Sequence, residues 1–159
     1  MTITRAAILT AAAVVSCAVA ACGGAPPAPA VPGLVARVNA ICTTYAEQVE
    51  ALTAPTFAPA SATAADLGAV ARYLDRAVPL LQSERSSIEA VGTPRTDTGL
   101  YDGMFAALTA HLHDEQAAQA AAQAGNLRSY QAALHADQAD STRLSGTAQQ
   151  LGVTACLSS

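Results

Sequence analysis

The chain has 159 residues, with eight basic side chains against twelve acidic ones, a formal charge of −4 and no lysine. That length suffices for one domain with its own core, and the acidic balance argues against a nucleic-acid partner or electrostatic docking on anionic lipid. Hydrophobic residues make up 52% of the chain and aromatics only 4%, so the core must be built mostly from Ala, Leu and Val. Alanine favours helices but buries little apolar area, and such a domain has reason to use a covalent staple.

Met1-Thr2-Ile3-Thr4-Arg5 carries one positive charge, and Ala6 to Ala21 carries none. A basic start, an apolar middle and small residues at the end form a secretory signal pattern. The run is too short, and too diluted by Thr10 and Ser16, for a spanning helix of about 20 apolar residues. Val19-Ala20-Ala21-Cys22 resembles the lipobox of bacterial lipoproteins. The resemblance implies a diacylglycerol thioether on the Cys22 sulfur, cleavage before it and acylation of the new amino group. Palmitate-type chains at about 0.8 kcal/mol per buried methylene then anchor the protein to the cell membrane, facing the extracytoplasmic side. The competing reading is ordinary secretion with cleavage near Ala20 or Ala21. The expected organisation is a signal over 1–21, the lipidated Cys22 with a flexible linker over 22–33, and a domain over 34–159. Prolines 26, 27, 29 and 32 keep the linker extended.

The domain reads as four helices. The first spans about Leu34 to Leu52, with the stripe Leu34, Val38, Ile41/Cys42, Tyr45, Val49, Leu52. A proline-rich loop over 53–61 follows, and its Phe57 is expected to cap the end of the core. The second helix starts after Thr63, which with Asp66 forms a variant capping box. Its stripe is Leu67, Val70, Leu74, Ala77/Val78, Leu81, Ile88, Val91, with a kink expected at Pro79 and a stop at Gly92 and Pro94. The third runs from about Thr96 to Ala124 with Tyr101, Met104/Phe105, Leu108, His111/Leu112, Glu115, Ala118 and Ala122 inward. Gly125-Asn126 turns the chain. The fourth carries Leu127, Tyr130, Leu134, Asp137, Ser141, Leu144, Ala148 and Leu151, and ends at Gly152. Short links make this an all-α, up-down-up-down antiparallel four-helix bundle.

In that bundle the start of helix one and the end of helix four share one end. Cys42 lies about two turns into helix one, and the tail after Gly152 brings Cys156 back to it. Secretion places both in an oxidising compartment, so a disulfide clasp is expected. A metal-binding or reactive thiol pair has no spacing in its favour. Ile41-Cys42-Thr43-Thr44-Tyr45 together with Leu151-Gly152-Val153-Thr154-Ala155-Cys156 resembles a pattern of small secreted helical proteins and lipoproteins of actinobacteria. The resemblance spans about residues 34–156. It implies an all-helical fold with these two cysteines paired, and it brings no activity.

The best polar cluster is His111, Glu115 and Asp137, all on inward stripes. His111 and Glu115 share one helix face at i,i+4. Across the Gly125 turn, equal distances put Glu115 near His135 and His111 near Asp140. Such a layer is a weak divalent-metal candidate, because the Glu-x-x-His motifs of di-iron bundles are absent and such layers are more often solvated or internally hydrogen-bonded. Haem has less support, since no motif positions Tyr45, Tyr101 or Tyr130. No nucleophile arrangement, phosphate-cradling loop or metalloprotease helix is present. The sequence therefore points to a non-enzymatic, lipid-anchored envelope module without cofactor that engages another envelope protein or a small ligand. A metal- or haem-binding bundle is the alternative.

Overall fold

The computed structural model describes residues 32–157; Cys22, the signal and most of the linker lie outside the described residues. Four helices make up the domain: α1 Pro32–Glu50, α2 Leu67–Val91, α3 Thr98–Gln123 and α4 Leu127–Leu151, with 3₁₀ turns at Pro59–Ser61 and Ala155–Leu157. They form the antiparallel bundle that the periodicity predicts, and no strand occurs among the described residues. None of the described helices is long and apolar enough to cross a membrane.

Local chemistry sets the ends of these helices. Asp66 accepts hydrogen bonds from the Thr63 backbone N–H at 2.8 Å and from its hydroxyl at 2.6 Å. This is the reach-back half of the expected capping box, and the Thr63 hydroxyl is spent on Asp66 instead of the helix. Regular α-helix accordingly begins at Leu67. At the same end of the bundle, Gly125 adopts φ 66° and Asn126 N–H reaches back to the Ala121 carbonyl. Asn126 then accepts from Ser129 N–H at 3.1 Å and caps α4, so one dipeptide closes one helix and opens the next. Helix α2 is continuous through Pro79, which lies on its exposed face. The carbonyl that loses its helical donor there is one turn back, on the solvent side, where water can replace it.

The tightest packing is between α3 and α4. Ala107, Ala118, Ala121 and Ala122 on α3 and Ala133 and Ala148 on α4 are buried, and small side chains let the two backbones approach. Helix α2 joins them with Leu67, Val70, Leu74, Val78, Leu81 and Ile88, each at most 6% exposed. Burying side chains of this size contributes roughly 1.5–3 kcal/mol apiece. Polar links run alongside. Asp75 accepts from Gln119 and Gln123 at 2.8 and 2.7 Å, Tyr101 donates to the Ile88 carbonyl at 3.0 Å, and Arg85 lies 4.8 Å from the centre of the Phe105 ring.

Helix α1 is attached differently. It packs along α2 and against the C-terminal turn, but scarcely approaches α4. Its clasp is the Cys42–Cys156 disulfide, with Cα atoms 5.1 Å apart and a sequence separation of 114. Beside it, Asn39 accepts from Ala155 N–H at 2.9 Å and donates to the Gly152 carbonyl at 3.4 Å. Gly152, at φ 77°, turns the chain back, and Val153 is fully buried behind it. The bundle is thus closed at one end by a covalent bond and left open along the α1–α4 seam.

Closing a loop of 114 residues removes about 4–5 kcal/mol of unfolded-state entropy in the chain-entropy account. Cys42→Ser and Cys156→Ser are each expected to lower Tm by more than about 10 °C, measured by far-UV circular dichroism. An unchanged Tm would contradict the clasp.

Candidate functional site

The open seam leads to the bundle's polar layer. A cleft of about 260 Å³ is lined by Tyr45 and Val49 of α1, Tyr73, Val78 and Leu81 of α2, His111 and Glu115 of α3, and Asp137 and Ser141 of α4. Each polar group stands where an apolar one would complete a stripe. His111 and Glu115 are one turn apart on the inner face of α3, and Asp137 continues the Tyr130–Leu134 line on α4.

His111 Nδ1 and an Asp137 carboxylate oxygen are hydrogen-bonded, both side chains being about four-fifths buried. One nitrogen or carboxylate oxygen from each of His111, Glu115 and Asp137 lies within 4.8 Å of the others. The three residues singled out in the sequence therefore converge. Their partners differ from those expected. His111 meets Asp137, whereas Asp140 holds Arg143 at 2.6 Å and His135 is exposed. Counting from the Gly125 turn gives the level of a residue along the axis. It does not give the side it faces, and at that level Asp137, not Asp140, lines the cleft.

Glu84 is a fourth group of the layer, one that the apolar stripes do not single out. Glu84 of α2 is 6% exposed, a charged residue in the otherwise apolar buried set of the described residues. It shares a cavity of about 60 Å³ with Tyr45, His111, Ser141 and Cys156. One of its carboxylate oxygens also lies within 4.8 Å of both disulfide sulfurs. The signal was present in the sequence: the α2 stripe runs from Leu81 to Ile88 with an intervening inward position, and that position is Glu84. Phe57 packs on the core edge as expected. Tyr101 is committed to the Ile88 carbonyl, Tyr130 lines a different cavity, and Tyr45 is the tyrosine that faces the seam.

Three carboxyl groups thus gather around one imidazole, and their proton affinities follow. Burial pushes Glu84 up to about 7, with His111 pulling weakly the other way. Glu115 is raised by burial and by the charge of Asp137, against His111. Burial alone would lower His111, but the hydrogen bond and charge of Asp137, with Glu115 and Glu84 behind it, raise it above its ordinary value. Burial, then Glu84 and Glu115, hold the Tyr45 phenol protonated. The layer is an acid-rich pocket in need of positive charge, supplied by protons or by a bound cation.

Unfolded, Glu84 ionises near 4.5; folded, it keeps its proton to about 7. Folding takes up a proton between these limits, so stability falls as pH rises through that window, by on the order of 3 kcal/mol when complete. His111 acts in the same sense. Its contribution is full below 6.5 and is lost as pH passes its raised folded value. Urea unfolding of the metal-free protein is expected to show lower stability at pH 8 than at pH 5, with most of the difference removed in Glu84→Gln. A stability that rises with pH would contradict the buried acid.

No family model, curated protein or solved structure matches the chain.

Proposed function

We propose that this protein is a lipid-anchored, extracytoplasmic binding module of the cell envelope, without enzymatic activity, whose bundle interior holds a divalent transition-metal ion. The anchor reading rests on Val19-Ala20-Ala21-Cys22 and on the proline-rich linker that separates Cys22 from the first helix. It agrees with a bundle clasped by a disulfide, a bond suited to an oxidising compartment.

The observation that carries the metal reading is the convergence of His111, Glu115 and Asp137 at the inner end of an open cleft. Zinc bound at about 2.0–2.2 Å in tetrahedral geometry needs its donors roughly 3.4 Å apart. Donors within 4.8 Å of one another reach that spacing by small side-chain rotations. The ion takes the place of the proton that His111 and Asp137 share, and its charge balances the surplus carboxylates. An imidazole with two carboxylates suits zinc, copper or iron better than magnesium or calcium, which take all-oxygen shells. Three protein donors leave a further position facing the seam, where a small ligand or an envelope partner's side chain completes the shell.

The full chain, stripped with EDTA, is titrated calorimetrically with Zn²⁺, Cu²⁺ and Co²⁺. Binding of a single ion is expected, with affinity falling by tenfold or more as pH drops from about 8 to 6, because protons compete for the same atoms. His111→Ala and Asp137→Asn each abolish it. No heat with any of the three ions, or binding that survives both substitutions, overturns the metal reading. Globomycin-sensitive maturation and radiolabelled palmitate incorporation at Cys22, lost in Cys22→Ser, test the anchor separately.

A further inference from the structure

A second cavity combines shape and chemistry beneath the connection between α1 and α2. It holds about 190 Å³, and its lining includes Phe57 of the connection, Tyr73 and Leu74 of α2, Tyr130 and Leu134 of α4, and Glu115 of α3. Roughly 150 Å³ is enough to take benzene when a cavity is apolar, so the space suits a group of that size. The chain holds four tyrosines, two phenylalanines and no tryptophan, and half of these rings line this one space. Their arrival from three separate elements is not a consequence of any one helical stripe.

Glu115 is the one carboxylate among the residues that line it, and burial raises its proton affinity. A neutral apolar occupant leaves this carboxylate stranded beside it, at a desolvation cost. A small hydrated inorganic cation satisfies the carboxylate but leaves the aromatic and leucine walls without a partner. An organic ammonium ion answers both, because its alkyl groups bury apolar area and its charge is attracted by ring faces as well as by the carboxylate. We propose that this cavity binds a small organic ammonium ion, with its alkyl groups against Phe57, Tyr73 and Tyr130 and its charge toward Glu115. The same chemistry is carried by a free quaternary ammonium solute and by a choline or ethanolamine lipid headgroup. Glu115 borders both this cavity and the seam cleft, so a metal ion that engages it withdraws the counter-charge. Metal and ammonium then bind antagonistically, each weakening the other by the same factor.

The test uses the full chain, stripped with EDTA and held in a non-ionic detergent. Choline and its uncharged carbon isostere, 3,3-dimethyl-1-butanol, are titrated by calorimetry, with tyrosine fluorescence as a second readout. Choline is expected to bind at least about tenfold tighter than the isostere. Glu115→Gln and Phe57→Ala are each expected to weaken choline by about tenfold while leaving the isostere nearly unchanged or, for Phe57→Ala, weakening both. Phe57 lies on the connection outside the helices, so its variant keeps the test open if Glu115→Gln is destabilised. His111→Ala is expected to keep choline binding, which separates this site from the metal layer. Vesicles of phosphatidylcholine that compete with choline assign the occupant as a headgroup; vesicles that do not compete assign a free solute. Equal affinity for choline and the isostere, an unaffected Glu115→Gln, or no binding of choline and tetramethylammonium at millimolar concentration overturns the proposal.

Discussion

The structure depends on how α1 is held. Helices α2, α3 and α4 form a closely packed body, and α1 joins it along α2 and through one covalent bond near its own midpoint. Because Cys42 and Cys156 are bridged, and Asn39 ties the adjoining backbone, α1 does not need to lie flush against α4. The seam between them stays open, and the cleft along it is the route to the interior. A bundle stabilised by apolar contact alone would gain by closing that seam. The clasp supplies stability from the unfolded side and relieves the fold of that requirement.

The open seam is also what makes an acid-rich layer tolerable. Glu84, Glu115 and Asp137 around one His111 would be costly in a sealed core. Here the layer is reached from the solvent side, two of the acids are held toward their protonated forms, and one is paired with the imidazole. Under the proposed metal reading, function and stability oppose each other at this level: the carboxylates that would hold the ion are the ones whose ionisation weakens the fold as pH rises.

Much of this was legible in the chain. The four stripes, the Gly125-Asn126 turn and the reach of Cys156 to Cys42 follow from periodicity, caps and parity of direction. His111, Glu115 and Asp137 stand out because they interrupt apolar stripes. Two things were not legible. Periodicity says which face of a helix turns inward, but not which neighbours meet there, so it pairs His111 with Asp140 where the structure pairs it with Asp137, and it does not single out Glu84 between Leu81 and Ile88. The second is the cavity under Phe57. It arises from a loop, two helices and an acid on a third, and no local pattern encodes that meeting. Alanine abundance had a further effect. It thins the stripes on α3 and α4, so that the tightest contact in the molecule carries the least conspicuous sequence signal.

Helix α1 scarcely approaches α4, and the His111, Glu115 and Asp137 layer lines a cleft shared by both helices. Anomalous diffraction from crystals of the chain grown with Zn²⁺ tests this arrangement most directly. A strong peak is expected within about 2.2 Å of a His111 nitrogen and of oxygens from Glu115 and Asp137, at the inner end of an open seam. Helix α4 packed flush on α1, with no peak in that layer, would contradict it.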